Sequence, residues 1–432
     1  MKVKVIGAGL AGVESAYYLA ENGVKVELYD IKPNAYTPAH KSQNFAELVC
    51  SNSLKSSDIY GNACGLLKEE MRILGSLTIP VADQTRVPAG NALAVDREKF
   101  SSLITEKIKA HKNITFISEE VTDIDLSENV IVATGPLTTD KLSKKIMEIT
   151  GDNLFFYDAA SPIITKDSID FDYAFYGDRY GKGDGDHVNC PMDKETYELF
   201  VKELLSAEKA PQKDFENTSV FEGCMPVEVM ASRGIDTLRF GTLKPVGLYD
   251  PRTDKRGYAC LQLRREDKAG ESFNLIGFQT NLKWGEQKRV FGIIPALKNA
   301  EYLRYGVMHR NTYINSPKVL NADFSLKNAP NVFFAGQITG VEGYVESAGS
   351  GLLAGINMKL KLDGKDSLKL DNTTVIGALS RYVATENVDF QPMNANFGIL
   401  SVLPAVYRDK ALKKKAYAER ALKNIKLIKE QL

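Results

Sequence analysis

Long hydrophobic runs are missing from this 432-residue chain. None reaches the ~18–20 residues that a bilayer-crossing helix needs, so no membrane partner is expected. Net charge is missing too, since 55 Lys and Arg face 55 Asp and Glu. A global electrostatic grip on a polyanion is thereby excluded, although a local basic patch is not. The five cysteines, Cys50, Cys64, Cys190, Cys224 and Cys260, form no CxxC and no zinc-like spacing. A disulfide framework and a metal-ligating cluster are both disfavoured, and free thiols in a reducing cytoplasm are expected. Tryptophan occurs once, at Trp284. There is no repeat, no low-complexity segment, and no RNP motif, KH loop or zinc knuckle. A strand that begins at residue 1 leaves no room for a signal peptide.

What is present is the composition of a folded protein, 44% hydrophobic and 25% charged. The length calls for two domains, or one large domain carrying an insertion. The first thirty residues carry the clearest pattern. A strand over Met1–Ile6 runs into Gly7-Ala8-Gly9-Leu10-Ala11-Gly12, a helix follows over Leu10–Asn22, and a second strand over Val24–Tyr29 ends at Asp30. Gly7 permits the tight turn, Gly9 lets the backbone approach a pyrophosphate, and Gly12 lets helix and strand pack closely. The helix N-terminus offers free N–H groups to phosphates. Asp30 is the expected ribose acceptor.

Two later stretches fit the same sheet. One is the apolar strand Asn129–Ala133, ending in Thr134-Gly135. The other is Asn331–Ala335, leading into Gly336-Gln337-Ile338-Thr339-Gly340 and an apolar helix over Ser347–Leu362. A helix N-terminus behind Gly336–Gly343 is suited to stabilising the negative charge of a reduced flavin. Many flavoproteins place Asp after this Ala-Gly; here the residue is Gln337. The expected fold is α/β, a Rossmann-like FAD-binding domain of the glutathione-reductase-like type with an inserted α+β domain. The FAD-binding domain is expected to take residues 1–155 and 305–432, and the insertion 156–304. Within the insertion, Asp193–Ala207 reads as helix, while Thr237–Phe240 and Asn274–Thr280 read as strands.

Several segments are too rich in Gly, Pro, Cys, Asn and Arg to be plain core: Phe45–Ser53, Val87–Arg97, Phe221–Glu228, Tyr305–Asn311 and Val341–Ser347. With these segments the chain closely resembles the bacterial folate- and FAD-dependent tRNA (uracil-5-)-methyltransferases. The likeness runs from GAGLAG through LVCSNS, VPAGNALAVDR, FEGCMPVEVMASRG, LKPVGL, GFQTNLKWG and YGVMHRNT to FFAGQITGVEGYVESA. It covers most of residues 1–360 and extends to the larger tRNA wobble-uridine flavoproteins. Position 30 is Asp where that family leads one to expect Glu, and either carboxylate can hold a ribose.

The resemblance implies FAD, 5,10-methylenetetrahydrofolate and NADPH or NADH as cofactors, and RNA as partner. The one-carbon unit would reach C5 of a uridine, from the family the T-loop uridine of tRNA. The same chemistry on 23S ribosomal RNA has identical motifs. Uracil C5 becomes nucleophilic only after a nucleophile adds to C6, and the C5 proton must later leave to a base. Thiolates suit such work. The family pattern falls on Cys224 and Cys50, with Cys224 as nucleophile and Cys50 as general base or flavin-side partner; the reverse assignment stays open. Gly7 to Gly12, Asp30, Thr134, Gly135, Gly336, Gln337, Gly340, Gly343 and Tyr344 are the expected cofactor-binding residues, and no metal site is expected. A further alternative is an NAD(P)H-dependent flavin oxidoreductase of the disulfide-reductase kind; it would need a close redox pair such as CxxC, and Cys50 and Cys224 lie far apart in the sequence. Nothing in the sequence supports a non-enzymatic RNA-binding protein that has lost its flavin site.

Other residues carry two readings each. Tyr344 can stack on a pterin or uracil, or pack. Trp284 can be a stacking platform, though a core or interface role fits a lone tryptophan better. His309 and Arg310 are candidates for the active-site wall. Glu342 and Glu346 can face the flavin or cap the following helix. The one visible charge bias is a basic C-terminal helix, 408–432, with nine Lys or Arg against three acids. It suits phosphate tracking, or is simply a solvated face.

Overall fold

Five short strands pair in parallel, in the order Val332–Phe334, Val130–Val132, Lys2–Ile6, Lys25–Asp30 and Ile114–Ser118. Two of them, Val332–Phe334 and Val130–Val132, read as unbroken apolar runs, as suits a parallel sheet covered on both faces; Val130, Ile131 and Val132 have no exposed surface. The coordinates are a computed structural model, which describes residues 2–151, 153–181, 183–210, 225–368, 370–387 and 390–432. The side chains of residues 153–159, 309 and 310 fall outside that description.

The helix after the first strand, Leu10–Glu21, lies against the long helix Tyr344–Leu362. Small residues allow the approach. A Cβ on Gly351 would lie 2.2 Å from the Ala11 carbonyl oxygen. Buried acids tie further helices to this pair. Glu14 accepts the N–H groups of Leu77 and Thr78, at 3.0 and 2.9 Å. Glu70 accepts those of Val375 and Ile376, at 2.8 and 2.9 Å. Each carboxylate thereby satisfies donors that a helix start leaves open.

A second core lies within residues 164–300. Its six-stranded antiparallel sheet runs Phe175–Tyr176, Val188–Met192, Ala259–Arg265, Ser272–Leu275, Ile163–Thr165 and Tyr302–Arg304. The chain leaves and returns through a two-stranded ribbon, Asn153–Ala159 with Met308–Ile314.

The expected helix near Asp193 runs Lys194–Ser206, and the Asp193 side chain caps it at the Thr196 N–H. Two expected strands differ. Thr237–Phe240 is a short helix, and Arg239 pairs with Asp236 one turn back. The second strand is Ser272–Leu275, and Gly277 at φ +77° turns the chain soon after it. The long helix begins at Tyr344 rather than Ser347, since Gly343 at φ +121° takes the cap position. At the C-terminus the basic helix Lys410–Lys429 is docked, not loose: Tyr417, Ala418, Ala421 and Ile425 are buried. No helix among the described residues is long and apolar enough to cross a membrane.

Candidate active site

A large cleft opens where the first strand, Lys2–Ile6, meets the start of its helix. The space in it and at its open mouth is about 1150 Å³. The Gly7–Ala11 turn forms one wall, Asp30 and Lys32 another, and Thr134–Thr139 and Gly336–Gln337 a third. Tyr344 and Val49 also line it. Four sequence segments, far apart in the chain, therefore meet around one space.

The glycines divide into two groups. A Cβ on Gly12 would lie 1.7 Å from the Gly7 carbonyl oxygen, and one on Gly7 would lie 2.5 Å from that of Ala133. Both positions are closed by the protein itself. A Cβ on Gly9 would meet nothing within 4 Å. Gly9 thus faces open space in the cleft, as close approach of a pyrophosphate requires. The cradle fits the phosphates and ribose of FAD. Gly340 and Gly343 are not among the cleft walls; their Cα atoms face the Phe390 ring and the Glu346 carboxylate.

Asp30 sits at the cleft edge with both oxygens engaged by backbone. Its Oδ2 accepts from the Ala8 N–H at 2.7 Å and its Oδ1 from that of Lys32 at 2.9 Å. The shorter acid thus closes the glycine turn onto the second strand. Gln337 donates to Glu342 at 2.6 Å, and Gly336 N–H donates to Ser350 Oγ at 2.7 Å. Both bonds hold the turn that precedes the long helix.

Cys50 lies beside the cleft, next in sequence to Val49. The Tyr344 hydroxyl accepts the N–H of Cys50 at 2.7 Å and of Ser51 at 3.1 Å. Burial pushes the Tyr344 phenol well above its ordinary range, so it stays protonated. Glu346 faces away from the cleft, paired with Lys55 at 2.8 Å and accepting the Ala395 N–H. Trp284 is 62% exposed. It stacks on Tyr305 with centroids 5.3 Å apart, and Tyr305 stacks on Tyr302. It is neither core nor cleft wall. Cys224 and the side chains of His309 and Arg310 lie outside the described residues.

Some cleft residues escape the motif reading: Lys32, Thr37, His40 and Glu47. Lys32 pairs with Glu47 at 3.1 Å and donates to the Asn44 carbonyl at 2.8 Å. Burial, with the Lys32 charge, holds His40 below the ordinary imidazole value. The signal available was position alone, in the polar stretch just after Asp30.

The family model described as Glucose inhibited division protein A matches residues 2–366. The chain belongs to the Glucose inhibited division protein A family. Within that family its close relatives are proteins named methylenetetrahydrofolate–tRNA-(uracil-5-)-methyltransferase TrmFO. The one from Acetivibrio thermocellus is 56% identical and covers 99% of this chain and 98% of its own length. The one from Bacillus licheniformis is 53% identical, with 100% and 99% covered. Among solved structures, Aquifex aeolicus GidA in its form II crystal superposes with a TM-score of 0.73 at 18% identity. It covers 100% of this chain and 73% of that one. At that identity the match speaks for the fold alone, and the fold is the Rossmann-like FAD-binding type of the Glucose inhibited division protein A family.

Proposed function

We propose that this chain methylates C5 of a uridine in tRNA, the T-loop uridine, with 5,10-methylenetetrahydrofolate as carbon donor. FAD, when bound, supplies the electrons and carries the one-carbon unit, and NAD(P)H replenishes those electrons. One observation carries the reading: the Cys50 loop and Tyr344 sit at the wall of the cleft that the glycine turn builds. The names of the relatives supply the substrate class.

Each residue has a task on this reading. The N–H groups of the Gly7–Gly12 turn, at a helix N-terminus, bind the pyrophosphate. Asp30, held in place by the Ala8 and Lys32 N–H groups, accepts the ribose hydroxyls with its remaining lone pairs. Thr134, Gly135, Gly336 and Gln337 line the path toward the ring system. The N-terminus of Tyr344–Leu362 favours negative charge there. Tyr344 fixes the backbone of Cys50 and Ser51. The Cys224 thiolate adds to uracil C6, which makes C5 nucleophilic. After transfer, Cys50 takes the C5 proton, and the Cys224 sulfur leaves as the C5–C6 double bond re-forms. The uridine has to be unstacked from its loop to reach the cleft.

The test is methylation by the purified yellow protein with methylenetetrahydrofolate and NADPH. Unmodified tRNA and unmodified 23S ribosomal RNA are offered in parallel, and 5-methyluridine is scored by mass spectrometry. Product on tRNA is expected. Product on ribosomal RNA alone replaces the partner and keeps the chemistry. No product on either, with flavin bound and reducible, overturns the proposal in favour of a flavin reductase.

A further inference from the structure

The loop Leu48–Asn52 is held at every residue by side chains from elsewhere. Arg97 Nη1 donates to the Leu48 carbonyl at 2.6 Å. Arg304 donates to the Val49 carbonyl. Tyr344 accepts the N–H of Cys50. Arg264 donates to Ser51 Oγ at 2.6 Å and to Asn52 Oδ1 at 3.0 Å. Asn52 in turn donates to the carbonyls of Val95 and Arg265.

Three of these partners are guanidiniums, and they come from three places. Arg97 opens the helix Arg97–Ala110, Arg264 lies in the strand Ala259–Arg265, and Arg304 ends the strand Tyr302–Arg304. Glu266 is the one carboxylate paired with them among the described residues, 2.8 Å from Arg97 Nη2 and with a side chain only 6% exposed. Glu47, just before the loop, pairs with Lys32, and Arg265, whose carbonyl Asn52 bonds, is a further cation at its far end. Among the described residues, three cations on this loop share one carboxylate.

Such a cluster is costly to bury unless an anion joins it. Burial holds Arg264 and Arg304 below the ordinary guanidinium value. Negative charge on Cys50 and Tyr344 works the other way on Arg97, Arg264 and Arg304. Linkage is reciprocal, so the three arginines favour the charged form of the thiol. Tyr344 cannot be the missing anion, since burial keeps it protonated. Among the described residues of this loop, Cys50 is the group that can supply it.

We propose that Arg97, Arg264 and Arg304 are positioning residues that hold Cys50 as a thiolate at the end of the cleft. The inference deepens the function proposed above and rests on it for the use made of the thiolate. The Cys50 S–H proton passes to water before the reaction. The thiolate then takes the C5 proton and becomes a thiol, with no electrons exchanged. Two of the three arginines belong to the insertion, so the insertion sets the state of a group beside the dinucleotide cleft.

The experiment needs neither RNA nor folate, so it fails or succeeds independently of the methylation assay. The FAD-loaded protein is treated with dithiothreitol, exchanged into buffers of graded pH, and alkylated with iodoacetamide. Labelling of the Cys50 peptide is followed by mass spectrometry. Cys190 and Cys260, both buried, report unfolding if they become labelled. The expected midpoint lies clearly below the ordinary thiol value of about 8.5. Arg264→Met and Arg304→Met each raise it by about one unit, and Arg264→Lys restores part of the shift. A wild-type midpoint at or above about 8.5 overturns the proposal even if the Met variants misfold. An unchanged midpoint in both Met variants, with Cys190 and Cys260 still protected, overturns it as well.

Discussion

Two regions of the molecule hold cysteine in opposite settings. In the six-stranded antiparallel sheet, Cys190 and Cys260 sit on neighbouring strands, with Cys190 paired in register to Leu261 and Pro191 to Cys260. Burial pushes Cys260 up to about 12 and Cys190 well above its ordinary value. Cys64, in the dinucleotide half, is buried as well and rises to about 11. Cys50 is only partly buried, in a loop held by three guanidiniums and a phenol. The same side chain is a small inert hydrophobe in one place and a candidate acid–base group in the other. What separates them is the field that distant elements assemble around each.

The largest effect expected from breaking this contrast is on activity. Cys50→Ala keeps FAD, read from its visible absorbance, and loses at least ~10²-fold in methylation rate, the scale of a lost acid–base group. Full activity would remove Cys50 from the chemistry. A pair of glycine variants sharpens the account of the cradle. Gly12→Ala forces a Cβ onto the Gly7 carbonyl and is expected to lower thermal stability and FAD retention together. Gly9→Ala has room without ligand, so it should leave apo stability unchanged and weaken FAD alone.

A smaller effect concerns pH. Burial raises the Glu70 carboxyl to about 7, against the pull of two backbone N–H bonds. Its folded value lies above its unfolded one, so this group favours the folded state most below the unfolded value of 4.5. That advantage declines as pH rises from 4.5 toward about 7 and is then gone. Glu70→Gln should flatten denaturant stability across that window, and an unchanged slope would contradict the assignment. Cys190→Ser buries an unmatched hydroxyl and should cost ~1–3 kcal/mol of stability with methylation per folded molecule unchanged. The smallest effect is on RNA. Lys410, Lys413 and Lys423 are exposed on the docked C-terminal helix. Changing all three to Glu should weaken tRNA binding and reduce its salt dependence, with FAD affinity untouched. Deleting the helix is a poorer test, because Tyr417, Ala418, Ala421 and Ile425 are part of the core.

The dinucleotide half was legible because its signals are local. The Gly7–Gly12 turn and the apolar runs at Val130 and Val332 announce themselves within a few residues. The second core is stitched by long-range antiparallel pairing, which leaves little trace in any short window. Thr237–Phe240 shows the difficulty: four residues with a β-branched and an aromatic member read as strand, yet Asp236 and Arg239 close a helical turn. The site divides in the same way. Cys50 and Tyr344 stood out in dense motifs. The arginine cluster did not, because Arg97, Arg264 and Arg304 lie far apart in the chain and only the fold brings them to one loop.

The measurement that bears most directly on the central claim is a crystal structure of the FAD-loaded protein. The pyrophosphate is expected over the Gly9 N–H, and the isoalloxazine ring in contact, within ~4 Å, with the Cys50–Tyr344 wall. A flavin ring that points away from that wall, with Cys50 out of its reach, would contradict it.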